Sequence, residues 1–568
     1  MAFIFSYFSL YCVNILLFIF YRYYITVRGF LLLMLFSLAL LWGALLLSFS
    51  EIVFNLNSLS LDFIALNFTL YSVDICLSLR LDVLSFLFLF LVITIGLATN
   101  FYTLNYFKNE ADEGLFLFWL NSFVASMGLL VLASNFWTLF LGWELIGLTS
   151  FFLINFWYFR RGTLKSSFKA FAFNLVSDIF LLFSFVSFFL ATGATEVVVV
   201  NHLIVTSMAS YTYYAVQGCF FLFLAASIKS VQFGGHLWLP DSMEAPVPAS
   251  SLIHSATLVS AGVYLLARFY DTLAVLGCQH WCLYSGAITA AYGGVVAASQ
   301  TDMKKLLAYS TMSHCGFLYI CLGFGNFYLL VLYLFLHGLF KAATFYCVGS
   351  FIRVFGSQDT RLMGCGHRLL PGDSLGLIFC SFNLAGLPFT VGYLYKSFFF
   401  IFLTATTYSF IVLGFTVLAL LTSVIYTFRL LYFSLFDFLK ASTPYTLFYL
   451  QTSKVRFLDI YRVITWGQLY ALFILLLTSL LVFWVTFYIF TYFAIEFSTY
   501  ALLEGSNSTA LVFYVEYFTS YFILFYFFYI LGLCILLIGE TRFFFLKLQS
   551  YWWLIYTFLG ISSLCVYS

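Results

Sequence analysis

The stretch AASIKSVQFGGHLWLPDSMEAPVPASSLIHSATLVSAGVYLLAR, residues 225–268, decides how this chain is read. Two apolar helical runs flank a break built from Gly234, Gly235, Pro240, Pro246 and Pro248, which takes half of the six prolines in 568 residues. Lys229 and His254 stand on the flanking helices, ionisable groups in sequence that otherwise belongs in lipid. A charge at mid-bilayer costs roughly 2.5–3.5 kcal/mol on insertion scales. Broken backbone at membrane depth survives only where protein buries it or where it lines a wet cavity. Together these features point to an ion path.

Composition agrees with that placement. Hydrophobic residues make up 64% of the chain, charged residues 8%, and the mean hydropathy is +1.05, outside the range of soluble domains. The reading is an all-α polytopic membrane protein of about 14–16 transmembrane helices, each about 20 residues long. Spans are expected near 2–22, 30–50, 83–104, 115–134, 136–157, 167–191, 213–232, 248–269, 277–298, 304–323, 326–349, 373–395, 398–432, 466–495, 510–540 and 551–567. A polar loop is expected through Asp62 and Asp74 to Asp82. The first apolar run lacks a basic flank and reads as a span rather than a cleavable signal. The net charge of +2 comes with no basic, aromatic-lined patch, so nucleic acid is not a partner on this reading. The 77 phenylalanines and 41 tyrosines exceed what a bilayer needs. They fit T-rich codon usage, and so an organellar genome. The twelve cysteines form no paired CxxC, and Cys278 and Cys282 read as buried thiols rather than metal ligands.

The chain echoes itself. Phe168–Phe173 and Phe340–Phe345 both read F-K-A-x-x-F, and Lys229 and Lys396 each lie beside a Gly/Pro break at nearly the same separation as Lys169 and Lys341. Interrupted segments at matching places in two halves mark transporters built from inverted repeats. Glu144, inside an apolar span, is either a helix-end carboxylate near the interface or an interior proton-binding acid. Asp178 has no basic residue a helical turn away, so it must pair across helices or protonate. Lys229 is the strongest candidate for a titrating group, biased by Glu144. His254 is either a relay or a histidine bonded to a neighbouring carbonyl. His337 and Lys341 share a helix face, and Lys396 and His314 complete the candidates, His314 as the second-half counterpart of Glu144. Asp241 and Glu244 read as a solvated mouth, and Lys304 and Lys305 as loop charges.

Several motifs carry a resemblance: Gly142–Gly147 and Phe152–Trp157, Lys229–Gln232, Trp238–Pro246, Ser251–Thr257, Gln358–Gly364 and Tyr426–Arg429. Over residues 80–430 the chain resembles the antiporter-like subunit 5 family of mitochondrial NADH dehydrogenase (respiratory complex I), whose relatives include cation/proton antiporter subunits. The resemblance implies two inverted five-helix repeats, each with a discontinuous helix and a row of buried charges at mid-membrane. Glu144 and Lys229 match the first-half ion pair, with Asp178 and Lys169 near it. His254 and Lys341 match the central connection, and Lys396 matches the lysine at the second break. The organisation implied is N-terminal helices over 1–110, a first half-channel over 111–270, a second over 271–432, and C-terminal helices over 433–568 with a possible lateral helix and anchor. Three local departures stand out: Asn174–Asp178 lacks the family's arginine, Tyr333 replaces a histidine, and Ser397 replaces an acid.

The implied function is proton translocation in NADH:ubiquinone oxidoreductase of the mitochondrial inner membrane, driven by redox chemistry in other subunits. No dinucleotide, iron–sulfur or haem motif occurs, so NADH, flavin, iron–sulfur clusters and ubiquinone are expected on partner subunits and no cofactor or metal on this chain. The expected partners are other membrane-arm subunits, notably a neighbouring antiporter-like subunit, together with lipids and protons. The competing readings are a cation/proton antiporter subunit, against which the length argues, and a mainly structural membrane scaffold.

Overall fold

The structure, a computed structural model, describes residues 61–70, 73–107, 112–206, 212–255, 257–387, scattered positions from 390 to 399, 410–437 and Asn14. The expected spans near 2–22, 30–50, 466–495, 510–540 and 551–567, the possible lateral helix, and Ser397 lie outside the described residues.

Two antiparallel strands come first, β1 (Leu61–Leu70) and β2 (Val73–Leu81), paired from Leu61 with Leu81 to Leu70 with Val73. The sequence reading made this stretch a polar loop. Its alternation is too short and too apolar to separate from its surroundings, and the hairpin becomes legible only through what holds it. Ser134 N–H donates to the Ser78 carbonyl, and Arg268 forms an ion pair with Asp82 at the hairpin's end.

The helices follow the apolar runs closely, because in lipid a helix satisfies its backbone internally. They are α1 (Val83–Tyr106), α2 (Glu113–Leu132), α3 (Phe136–Ile154), α4 (Arg161–Thr192), a short α5 (Val197–Thr206) and α6 (Thr212–Lys229). Capping boxes at Asp82 with Ser85 and at Asn135 with Thr138 start α1 and α3. After the first break come α7 (Val247–Ser255), α8 (Leu258–Arg268), α9 (Tyr270–Val275), α10 (Gln279–Ser299), α11 (Met303–Phe324) and α12 (Phe327–Phe355). A short α13 (Gly366–Leu369) leads into α14 (Pro371–Ala385), and α15 (Phe410–Leu431) closes the described set. Among the described residues nine helical stretches are long and apolar enough to cross a membrane, with α7 and α8 counted as one.

The expected span over 373–395 is divided. Helix α14 ends where Gly386 adopts a left-handed φ of 75°, and helical backbone is found again at 391–393 and 395–396. Helices α7, α8, α11 and α12 are almost wholly buried and form the centre. Small residues, Gly286, Ala290, Gly293 and Gly316, line the tight crossing of α10 with α11. Among the described spans α4 is the least buried, showing Leu175, Ile179, Phe183, Val186 and Leu190 on its exposed face.

Candidate functional site

Helix α6 ends at Lys229, and the next turn is strained: Val231, fully buried and β-branched, takes a φ of 61°. From there to Val247 the chain runs through turns and a single 3-10 turn, Asp241–Glu244. The Lys229 side chain is wholly buried. Its Nζ donates to the Trp143 carbonyl at 2.7 Å, lies 4.1 Å from the Trp143 ring centre, and sits 3.7 Å from Asp178 Oδ1. The buried ion pair is therefore Lys229–Asp178, between α6 and α4. Glu144, half-buried on α3, interacts electrostatically with both groups without forming an ion pair with the lysine. Of the two courses open to an acid isolated on its own helix, pairing and protonation, Asp178 takes pairing across helices, and Ser177 Oγ donates to it at 3.1 Å.

Asp178→Asn removes the carboxylate directly against Lys229, whereas Glu144→Gln removes a more distant charge. Proton translocation by membrane vesicles is expected to fall further in Asp178→Asn than in Glu144→Gln. A larger loss from Glu144→Gln would mean that the working partner is Glu144.

Lys169 has a different position. It pairs with Asp241 at 2.6 Å, both side chains roughly half exposed, and so ties α4 to the break at the rim of the protein. Asp241, expected at a solvated mouth, is thus part of a bridge. Lys304 also departs from expectation. It is buried rather than in a loop, and its Nζ donates to the carbonyls of Met243 and Ala245 at 3.4 and 3.1 Å. Unwound backbone leaves carbonyls without helical partners, and Lys304 fills that need. Nothing in the dipeptide Lys304-Lys305 shows which lysine turns inward; its place in the first turn of α11 decides.

His254 on α7 lies beyond the break. Its Nε2 is 3.2 Å from Ser242 Oγ, while its Nδ1 is buried without a hydrogen-bond partner. Trp238 stands between it and the first-half pair: the indole Nε1 donates to the Ile228 carbonyl at 3.1 Å, and its ring centre is 6.4 Å from that of His254. On the other side His254 feels the charge of Lys341, which is fully buried on α12 and donates to Ser310 Oγ and, at 3.4 Å, to the Leu307 carbonyl on α11.

From Lys341 the polar groups continue. His337 lies a helical turn earlier, and its ring centre is 4.7 Å from that of His314. Among the described residues His314 has no carboxylate partner; its Nδ1 is 2.6 Å from Tyr333 Oη and its Nε2 3.2 Å from Tyr426 Oη on α15. His314, expected as the counterpart of Glu144, thus sits in a hydroxyl network. Tyr333 packs edge-on against Tyr395, at 4.5 Å between ring centres, and Lys396 follows. The Lys396 Nζ donates to the carbonyls of Leu384 and Ala385 at 2.7 and 3.0 Å, and to Ser423 Oγ at 3.0 Å. It neutralises the carbonyl end of α14, the negative end of that helix dipole. At the loop end, hydrogen bonds from Arg361 hold the Asp359 carboxyl below its usual range. Cys278 stands beside Cys219 rather than facing Cys282 alone.

Buried lysines and histidines threaded through interrupted helices define a polytopic membrane protein with an internal ion path. The family described as NADH:quinone oxidoreductase/Mrp antiporter, TM, matches residues 133–422, and the chain belongs to that family. It is 42% identical to NADH-ubiquinone oxidoreductase chain 5 of Paramecium tetraurelia, over 77% of this chain and 78% of that one. It is 36% identical to the chain 5 of Wickerhamomyces canadensis over 56% of this chain, and there it spans half the relative's length. The solved Mrp complex from Dietzia sp. DQ12-45-1b shares the fold, with a TM-score of 0.68 and 22% identity over 91% of this chain and 62% of that one.

Proposed function

We propose that this chain is a proton-translocating membrane-arm subunit of an NADH:ubiquinone oxidoreductase, complex I, in the mitochondrial inner membrane. Electron transfer, with its NADH, flavin, iron–sulfur clusters and ubiquinone, belongs to partner subunits, and the neighbouring membrane-arm subunit is antiporter-like. The supporting observation is the buried row Lys229, His254, Lys341, His337, His314 and Lys396, in which Asp178 is the carboxylate held against a lysine. A structural role would pair each buried cation with an acid, since unpaired buried charge is costly. Here Lys341 and Lys396 rest on hydroxyls and carbonyls. Such partners stabilise a protonated lysine without locking it, so a modest change in the surroundings releases the proton.

In this mechanism Lys229 holds its proton against Asp178 and the Trp143 carbonyl. Movement of Asp178 or Glu144 away from Lys229, imposed by the neighbouring subunit, lets the proton leave toward His254. His254 has one ring nitrogen free to receive it, and passes it to Lys341. The histidine pair and Tyr426 carry it on to Lys396 at the second break. The two halves thus act as similar channels joined by a lateral relay. Steps longer than a hydrogen bond are spanned by bridging water.

Purification of the tagged chain from gently solubilised mitochondrial membranes tests the assignment. NADH:ubiquinone activity is expected to travel with the tag, and NADH is expected to drive acidification on one side of reconstituted vesicles. Sodium/proton exchange without NADH, and no NADH-oxidising partners, would replace this reading with that of an antiporter subunit, the alternative favoured by the shared Mrp fold.

A further inference from the structure

One buried acid takes no part in the row described above. Asp373 stands in the first turn of α14, after Pro371, and is 2% exposed; neither carboxylate oxygen has a hydrogen bond of normal geometry. It therefore does not close a capping box, the usual duty of an acid at the third helical position. Lys396 occupies the carbonyl end of the same helix. This half-helix thus carries an acid at one end and the terminal lysine of the row at the other.

The surroundings of Asp373 are polar on one side. Its carboxylate faces Ser350 on α12, whose hydroxyl donates to the Tyr346 carbonyl at 3.2 Å. Its charge is felt by Cys347 on α12 and by Tyr102 on α1, and Tyr102 also feels Arg353, an exposed residue near the end of α12. Tyr102 and Tyr346 stack at 4.6 Å, and a Cβ on Gly349 would lie 2.3 Å from the Tyr102 hydroxyl. Gly349 is therefore what lets that hydroxyl sit between α12 and α7. The Tyr346 hydroxyl is itself buried without a hydrogen bond of normal geometry, and it reaches toward Ser251 on α7. Ser251 lies three residues before His254, on the same helix face, and His254 Nδ1 is buried without a hydrogen-bond partner.

We propose that Asp373 is a proton-collecting site that feeds the central histidine from the aqueous surface at the Arg353 end of α12, by way of Ser350, Tyr346 and Ser251. This rests on the function proposed above and adds to it an uptake branch that joins the row in its middle rather than at either helix break. The carboxylate takes a proton from surface water and becomes neutral. It then gives that proton to the Ser350 hydroxyl, and a bridging water carries it past the Tyr346 carbonyl to Tyr346 Oη and on to Ser251, each group accepting one proton as it releases its own. His254 receives the last of these, and the carboxylate is regenerated, so no further reactant is needed.

The test uses the assembled complex in native membranes, with Asp373→Asn, Asp373→Glu, Tyr346→Phe and Lys341→Met compared for NADH-driven proton pumping per complex. Asp373→Asn is expected to pump several-fold more slowly and to recover on acidifying the uptake side or on adding a small permeant acid. Asp373→Glu should retain most of the rate. Tyr346→Phe, which keeps the stacked ring, should slow pumping without changing the amount of complex, and it decides the matter if Asp373→Asn fails to assemble. Wild-type pumping by Asp373→Asn or by Tyr346→Phe, alongside a defective Lys341→Met, would overturn the uptake branch alone. Wild-type pumping by Lys341→Met as well would overturn the relay itself.

Discussion

Lys229→Met is expected to lower proton pumping by about a hundredfold, within the range by which a positioned proton-transfer group contributes, while the complex still assembles. Methionine nearly matches the length of the lysine stem and keeps the site filled with apolar volume. The substitution removes the ammonium, with its bond to the Trp143 carbonyl, its contact over the Trp143 ring and its ion pair with Asp178. Breaking one side of a buried pair would ordinarily cost about 3–5 kcal/mol, through the charge left behind. Here that charge is a carboxylate, which escapes the penalty by taking up a proton and keeps the Ser177 hydroxyl beside it. Assembly is read from the abundance of intact complex on native gels, pumping from vesicles at matched complex content. Near-normal pumping would remove Lys229 from the relay, and loss of the complex itself would make it a structural residue.

Gly392→Ala is expected to do the reverse, destroying assembly without touching a titratable group. A Cβ at this position would lie 1.7 Å from the Asn383 carbonyl oxygen, backbone of α14 that cannot rotate away. The chain after the second break lies directly on the end of α14, where Tyr395 Oη also donates to the Asn383 carbonyl at 3.2 Å. Overpacking usually costs about 1–3 kcal/mol, and the closeness of this contact puts the variant at the upper end. Much reduced complex in the membrane is the expected result. Wild-type abundance with normal pumping would show that the two segments separate at no cost, contrary to their packing.

These two outcomes divide the molecule along the line that also divides what sequence and structure each reveal. The positions of α1 to α4, α6, α10 and α11 follow within a few residues from runs of apolar side chains. The break after Lys229 follows from its glycines and prolines. Hydrophobicity and turn chemistry are local properties, and they are written where they act. The candidate lysines were visible for the same reason, since a charge in such a run stands out by its cost.

Which groups meet is a different matter. An amphipathic helix announces its inner face by periodicity, but helices apolar on every side do not, so rotation about the axis is not written in the pattern. Hence Asp178 rather than Glu144 holds the ion pair with Lys229. Hence also Lys169 and Lys341, alike in F-K-A, end up at an exposed bridge and in the core. The burial of Lys304 against the unwound carbonyls, and of Asp373 behind Tyr346, arises from helix crossings between distant segments. The sequence by itself determined a polytopic helical protein with two interruptions and lysines beside them, because lipid imposes those features one segment at a time. Tertiary structure decided the wiring among the charges, because a proton relay depends on contacts of a few ångströms between side chains far apart in the chain.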